Sequence, residues 1–170
     1  MQLVNRTSQN LARFQARRRL QTDPRFSATP GYTRGNEILP SSQQLLLRSS
    51  LEDAGAPDVA MVEAHGTGTP LGDPIEAGAV ALVYLDTRSA LVVGSLKANA
   101  GHTEPGAGLA GALKLMMQLC RGALSPNAQL RTLNPLVGAT LRGHGDCALP
   151  TEVEIQHGSE DGRRGGVSSF

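Results

Sequence analysis

The chain has few aromatic residues, few cysteines and almost no lysine. Aromatics are 3% of its 170 residues, against 39% hydrophobic residues overall. That is lean for a core but within the globular class, and the length suffices for one domain with a real core. The two cysteines, Cys120 and Cys147, are too few and too far apart for a disulfide framework or a zinc knuckle. They read as reduced thiols of an intracellular protein. Acidic and basic residues nearly cancel, leaving a net charge of +1, so the whole molecule implies no polyanionic partner. No stretch has the length and apolarity of a membrane span.

Lysine occurs only at Lys97 and Lys114; the other basic residues are arginines. Six of these, Arg6, Arg13, Arg17, Arg18, Arg19 and Arg25, crowd a stretch whose first acidic residue is Asp23. Such a start resembles a plastid or mitochondrial transit peptide. The plainer reading is a chain that prefers arginine in the cytoplasm. A nucleic-acid-binding arm is disfavoured because no binding fold follows it. A short helix is expected near 8–20, and then loop, because Asp23-Pro24, Thr29-Pro30-Gly31 and Leu39-Pro40 interrupt every pattern.

From Ser41 the pattern sharpens. Ser41 or Ser42 can cap a helix carrying Leu45, Leu46, Leu47 and Leu51 and ending at Gly55. Val59 to Glu63 reads as a short strand running into the turn His65-Gly66-Thr67-Gly68-Thr69. Asp73-Pro74-Ile75-Glu76 reads as a helix start, with Asp73 as N-cap, Pro74 at the first position and Glu76 closing a capping box. That helix should reach about Leu85. Leu91 to Ser95 reads as a second buried strand, leading into Lys97-Ala98-Asn99-Ala100-Gly101-His102. A helix from about Pro105 to Arg121 should stop at Gly122. Its first turns are glycine and alanine, which suits a helix with other backbones pressed against it. Further strands are expected near 151–156 and 165–170, after a polar stretch from Arg142 to Asp146, with Cys147 in a polar loop. The alternation of helix and strand predicts an α/β layered domain. There is no internal repeat.

Two of the four histidines, His65 and His102, follow strands in glycine-bearing turns that open helices. Strand ends are where α/β folds bind ligands. Free N–H groups at a helix start favour an anion or a developing oxyanion, and a neutral imidazole donates one hydrogen bond. A lone histidine is more often structural; two in equivalent turns weigh towards a site. Lys97, five residues before His102, either organises charge around that ring or is a solvated strand-end lysine; spacing does not choose.

These residues carry a resemblance. Val62-Glu63-Ala64-His65-Gly66-Thr67-Gly68-Thr69 with Leu71-Gly72-Asp73-Pro74-Ile75-Glu76-Ala77 resembles the first histidine motif of β-ketoacyl synthases. Val93-Gly94-Ser95-Leu96-Lys97-Ala98-Asn99-Ala100-Gly101-His102 resembles the second, and Ala107-Gly108-Leu109-Ala110-Gly111-Ala112-Leu113-Lys114 the helix beside it. Asn134-Pro135 and Gly166-Val167-Ser168-Ser169-Phe170 follow in the family's order. In wording the set resembles ketosynthase domains of type I or modular polyketide synthases, over residues 36–170, and leaves 1–35 unassigned.

The resemblance implies an α/β fold, the C-terminal half of a thiolase-like layered fold. It implies decarboxylative Claisen condensation of acyl thioesters with malonyl-type extenders, in polyketide or fatty acid synthesis. His65 and His102 would hydrogen-bond the extender's thioester carbonyl, Lys97 would support His102 through a polar network, and Thr67 and Thr69 would hold the pantetheine arm. The implied partners are an acyl carrier protein and an N-terminal ketosynthase half or a second protomer. No resident cofactor or metal is implied, only phosphopantetheine-linked substrates.

The departures are as informative. The family's nucleophilic cysteine sits in a serine-rich motif that does not occur in these 170 residues. The glycine-rich turn that follows the family's Phe is also not among them, and Arg34-Gly35-Asn36-Glu37-Ile38-Leu39 replaces an asparagine- and glycine-rich loop. Groups that act as a unit lose most of their rate when one is missing. The expectation is a domain truncated at its C-terminal end, inactive alone, with an apolar face left uncovered. The alternative is a non-catalytic module that binds pantetheine or pairs with a ketosynthase. A nucleotide loop at Gly66 to Gly72 lacks the P-loop lysine and the G-x-G-x-x-G spacing. A metal site of His65, His102 and Glu104 lacks a metal-binding spacing.

Overall fold

The computed structural model describes residues 33–34, 37–38, 42–55, 59–85, 90–142, 146–155 and 163–170. The expected helix near 8–20 lies outside them. The chain divides into two units, residues 1–42 and 43–170. In the first, β1 (Thr33–Arg34) and β2 (Glu37–Ile38) pair antiparallel, Thr33 opposite Ile38.

The second unit is ordered around β3 (Met61–Glu63) and β4 (Ala90–Gly94), which pair in parallel with Met61 opposite Val92 and Glu63 opposite Gly94. β6 (Asp146–Ala148) adds to β4, and β8 (Gly165–Val167) to β3, both parallel, giving the order β6-β4-β3-β8. Parallel neighbours need a crossover, and the α2 helix (Gly72–Val80) provides it between β3 and β4. The cysteine at 147 therefore lies in a strand paired with Leu91, not in the polar loop that the sequence suggests. The sequence underweights β6 because it is three residues long and mostly exposed.

Alternation along β3 assigns its two faces. Val62 points into a core with Leu47 of α1 (Ser42–Ala54), Val80 of α2, and Val137 and Leu141 of α5 (Pro135–Arg142). Met61 points the other way, to Leu115 of α4 (Ala107–Arg121) and to Leu124 of β5 (Ala123–Leu124). Helices thus cover both faces of the sheet, as the parallel pairing requires. Leu91, Val62 and Val80 are fully buried, each contributing about 1.5–3 kcal/mol relative to exposure. β5 pairs antiparallel with β7 (Glu154–Ile155), which realises the strand expected near 151–156.

Two local expectations change. Asp73 is not the N-cap of α2: the helix begins at Gly72, and its N-cap residue is Leu71, which makes no side-chain cap. The Asp73 carboxylate instead accepts from the Gly68 amide at 3.1 Å, and the Thr69 hydroxyl accepts from the Gly72 amide at 3.1 Å. Glu76 closes no capping box, because the turn before it uses the carboxylate elsewhere. Beyond Val80 the helix widens into a π-type turn, Ala81–Leu85, buried except at Leu82. The helix after His102 begins as a 3-10 turn at Glu104–Gly106 and ends where expected, with Gly122 in the left-handed region at φ 63°. A short helix, α3 (Lys97–Ala100), and the helix α5 were not foreseen.

Candidate active site

β3 and β4 end side by side, so the turns that follow them meet. The Ala64 amide donates to the Gly94 carbonyl at 2.7 Å, extending the pairing one residue past the strands. His65 follows one strand and Ser95 the other. The chain can turn sharply at Gly66 because its φ is +48°, and a Cβ there would lie 2.7 Å from the Ser95 hydroxyl oxygen. Only glycine meets both demands.

The first turn is held from behind by Glu76, which is 5% exposed. Its carboxylate accepts from the His65 amide at 2.7 Å and from the Gly66 amide at 2.9 Å. The Ser168 hydroxyl donates to the same carboxylate and accepts a longer bond of 3.2 Å from the His65 amide. The second turn is held by Asn127, whose side-chain oxygen accepts from the Ser95 amide at 2.9 Å and whose amide group donates to the Val93 carbonyl at 3.3 Å. Asn99 fixes the neighbouring loop by accepting from the Ala128 amide at 2.9 Å.

The two imidazoles then meet edge to face, centroids 6.0 Å apart and planes at 88°. Phe170 closes the other side of His65 at 6.3 Å. Nδ1 of His102 accepts from the Glu104 amide at 3.0 Å. A neutral His102 ring therefore carries its proton on Nε2. Nδ1 of His65 is buried and has no hydrogen-bond partner among the described residues. Burial, and then the Lys97 ammonium and the second ring, hold the His65 pKa below the usual 6.5, although the Glu76 and Asp73 carboxylates pull the other way. The ammonium of Lys97 donates to the His65 carbonyl oxygen rather than to His102.

A cleft of about 510 Å³ opens beside the pair. Thr67, Asp73, Lys97 and His102 are among its polar lining residues, and Val80, Val93, Leu133, Val137, Leu141 and Leu149 among its apolar ones. His65 and Thr69 are not in the lining. The arrangement thus joins His65, His102 and Lys97 in one cluster, puts Thr67 in the cleft wall beside them, and leaves Thr69 exposed in the turn. No group of three His, Cys, Asp or Glu among the described residues is arranged for a metal. No described helix is long and apolar enough to cross a membrane. Cys120 is exposed on α4, and burial pushes the Cys147 thiol up to about 11.

Sequence reasoning passed over Glu63, Glu76, Ser168 and Asn127 as site residues. The available signal was a carboxylate, Glu63, closing an apolar strand, with one of only two lysines downstream in a helix of small residues.

Residues 31–131 match the model of the family described as β-ketoacyl synthase, C-terminal domain. The chain is 43% identical over 134 residues to the spectinabilin polyketide synthase system protein NorA' of Streptomyces orinoci, a match covering 76% of this chain and 4% of that protein. It is 41% identical over 132 residues to erythronolide synthase EryA2 of Saccharopolyspora erythraea, again 76% of this chain and 4% of the relative. The chain thus spans a small part of these large proteins. Among solved structures, the ketosynthase from module 6 of the bacillaene synthase of Bacillus subtilis 168 superposes with a TM-score of 0.67 at 34% identity, covering 83% of this chain and 26% of that one. The fold is accordingly the α/β C-terminal half of a thiolase-like ketosynthase.

Proposed function

The chain belongs to the β-ketoacyl synthase family, and from that premise we propose that its histidine pair forms the decarboxylating half of a polyketide-type condensing site. The observation that carries the reading is the edge-to-face contact of two imidazoles in the segments that follow two adjacent parallel strands, one with its free proton on Nε2. A malonyl-type thioester would place its carbonyl oxygen between the rings, accepting from Nε2–H of His102 and from a nitrogen of His65. Loss of CO2 leaves the bonding electron pair on the α-carbon, and the charge delocalises onto that oxygen, where the two donors stabilise it. The α-carbon then attacks an acyl thioester, and the sulfur departs as thiolate. Removing one such donor typically lowers the rate about 10²–10³-fold.

Lys97 supports the pair by fixing the His65 backbone and disfavouring a charged His65. In this reading Thr67 and Thr69 hold the pantetheine arm of a carrier-bound extender. The acyl group needs a thiolate that neither cysteine supplies, Cys120 being exposed on α4 and Cys147 lying in β6. The chain alone therefore binds and decarboxylates but does not condense; an N-terminal-type ketosynthase half brings the nucleophile, and an acyl carrier protein the substrate.

The test is malonyl-CoA binding by calorimetry with CO2 release measured in parallel. His65→Ala and His102→Ala should each slow release by about 10²–10³-fold. Binding without release in the wild-type chain supports the narrower reading of a pantetheine-binding module. Absence of binding, or equal binding by both variants, overturns the proposal.

A further inference from the structure

Glu63 stands two residues before His65, on the α4 side of β3, and is 3% exposed. Its carboxylate does not line the cleft. One oxygen accepts from the amide of Leu96, the residue that opens α3 and precedes Lys97. The other accepts from the Lys114 ammonium of α4 at 2.6 Å, with both side chains nearly buried. The backbone carbonyl of the same residue accepts from the Ser168 amide at 2.9 Å. Ser168 in turn binds Glu76 and the His65 amide. The slot exists because α4 has glycine at 111: a Cβ there would lie 3.1 Å from Cγ of Glu63.

A buried ion pair is weak evidence for stability, since desolvation offsets much of the attraction. What this pair does geometrically is specific. It joins the strand that leads to His65 to the amide that begins the segment running to His102. The Leu96 N–H is directed at the buried Glu63 carboxylate, and without that acceptor it would be left unsatisfied. We propose that the Glu63–Lys114 pair is a positioning device for the two histidines: the Glu63 carboxylate ties the Lys97–His102 segment to the end of β3, and Lys114 neutralises that carboxylate in its buried slot. This rests on the reading of the histidine pair given above. Glu63 and Lys114 are positioning residues, since neither reaches the cleft.

The experiment uses the whole chain labelled with ¹⁵N-histidine, in two double variants that both remove the lysine charge. In E63Q/K114M the glutamine oxygen still accepts from Leu96. It should keep the hydrogen-bonded Nδ1 signature of His102 and bind malonyl-CoA within about threefold of wild type. In E63L/K114M no acceptor remains. The His102 signature should be lost, the Leu96 amide should exchange at least about tenfold faster, and malonyl-CoA binding should weaken at least about tenfold. If E63L/K114M does not fold, Glu63→Asp replaces it: one methylene shorter, it keeps a charge for Lys114 and cannot reach both partners. An unchanged His102 signature and Leu96 exchange in a folded variant lacking the acceptor overturns the proposal. If neither wild type nor variants bind malonyl-CoA, yet the His102 and Leu96 signals change as stated, the functional reading fails and the positioning role stands.

Discussion

The amide of Glu104 reaches Nδ1 of His102 at 3.0 Å from a backbone turned to φ +33°, a conformation that L-residues rarely adopt. Such strain persists only where surroundings impose it, and it costs on the order of 1–3 kcal/mol. Here it fixes which imidazole nitrogen carries the proton. ¹⁵N NMR should show the neutral His102 ring as the Nε2–H tautomer. Glu104→Gly should keep that tautomer and leave stability unchanged or raised by up to about 1 kcal/mol, because glycine tolerates positive φ. Glu104→Pro removes the N–H and should abolish the preference.

His65 sets a pH dependence. Its folded pKa lies below 6.5, through burial first and then the Lys97 ammonium. A depressed pKa means that the folded chain resists the proton more than the unfolded chain does. The stabilising contribution of the neutral ring is complete above pH 6.5. It declines as the pH falls through 6.5 towards the folded value, because protons then bind the unfolded state preferentially. Thermal melts at pH 7.5 and 5.0 should show a smaller loss for His65→Gln than for wild type. Identical losses would show that the ring does not titrate differently on folding.

The legible parts of the sequence were those with local physical signatures. The run Val59 to Glu63 and the run Leu91 to Ser95 announced buried strands, and Gly122 announced a helix stop. The turns after those strands announced a site, because each sets a histidine in a glycine-bearing turn that opens a helix. What escaped was long-range. Asp73-Pro74-Ile75-Glu76 has the spacing of a capping box, but Glu76 turns back to the His65 and Gly66 amides, eleven and ten residues earlier. Ser168 reaches the same carboxylate from the end of β8, the strand beside β3, over a separation of 92 residues. β6 is short and exposed, and its pairing with β4 comes from topology rather than from its own pattern.

α4 leaves Leu109, Leu113, Met116 and Met117 on one stripe, from 47% to 69% exposed. Spaced at helical intervals, they cover about 12 Å of the helix. Such a patch marks an interaction face, and the chain on its own should self-associate through it. Replacing all four by glutamine should shift light scattering towards monomer with helix content unchanged, since none of the four belongs to a core cluster. A wild-type chain that is monomeric at high concentration would refute this.

Gly66 is where the fold and the site are least separable. A side chain there faces the positive φ of +48° and the Ser95 hydroxyl 2.7 Å away. The left-handed backbone costs an L-residue about 1–2 kcal/mol, and overpacking adds about 1–3 kcal/mol. Gly66→Ala should therefore lower stability by roughly 2–5 kcal/mol, or about 5–20 °C in Tm for a chain of this size. Ser95→Gly removes the obstructing hydroxyl but not the backbone strain. Combined with Gly66→Ala, it should restore about half of the loss. Restoration of the whole would assign the glycine to packing alone; no restoration would assign it to the turn.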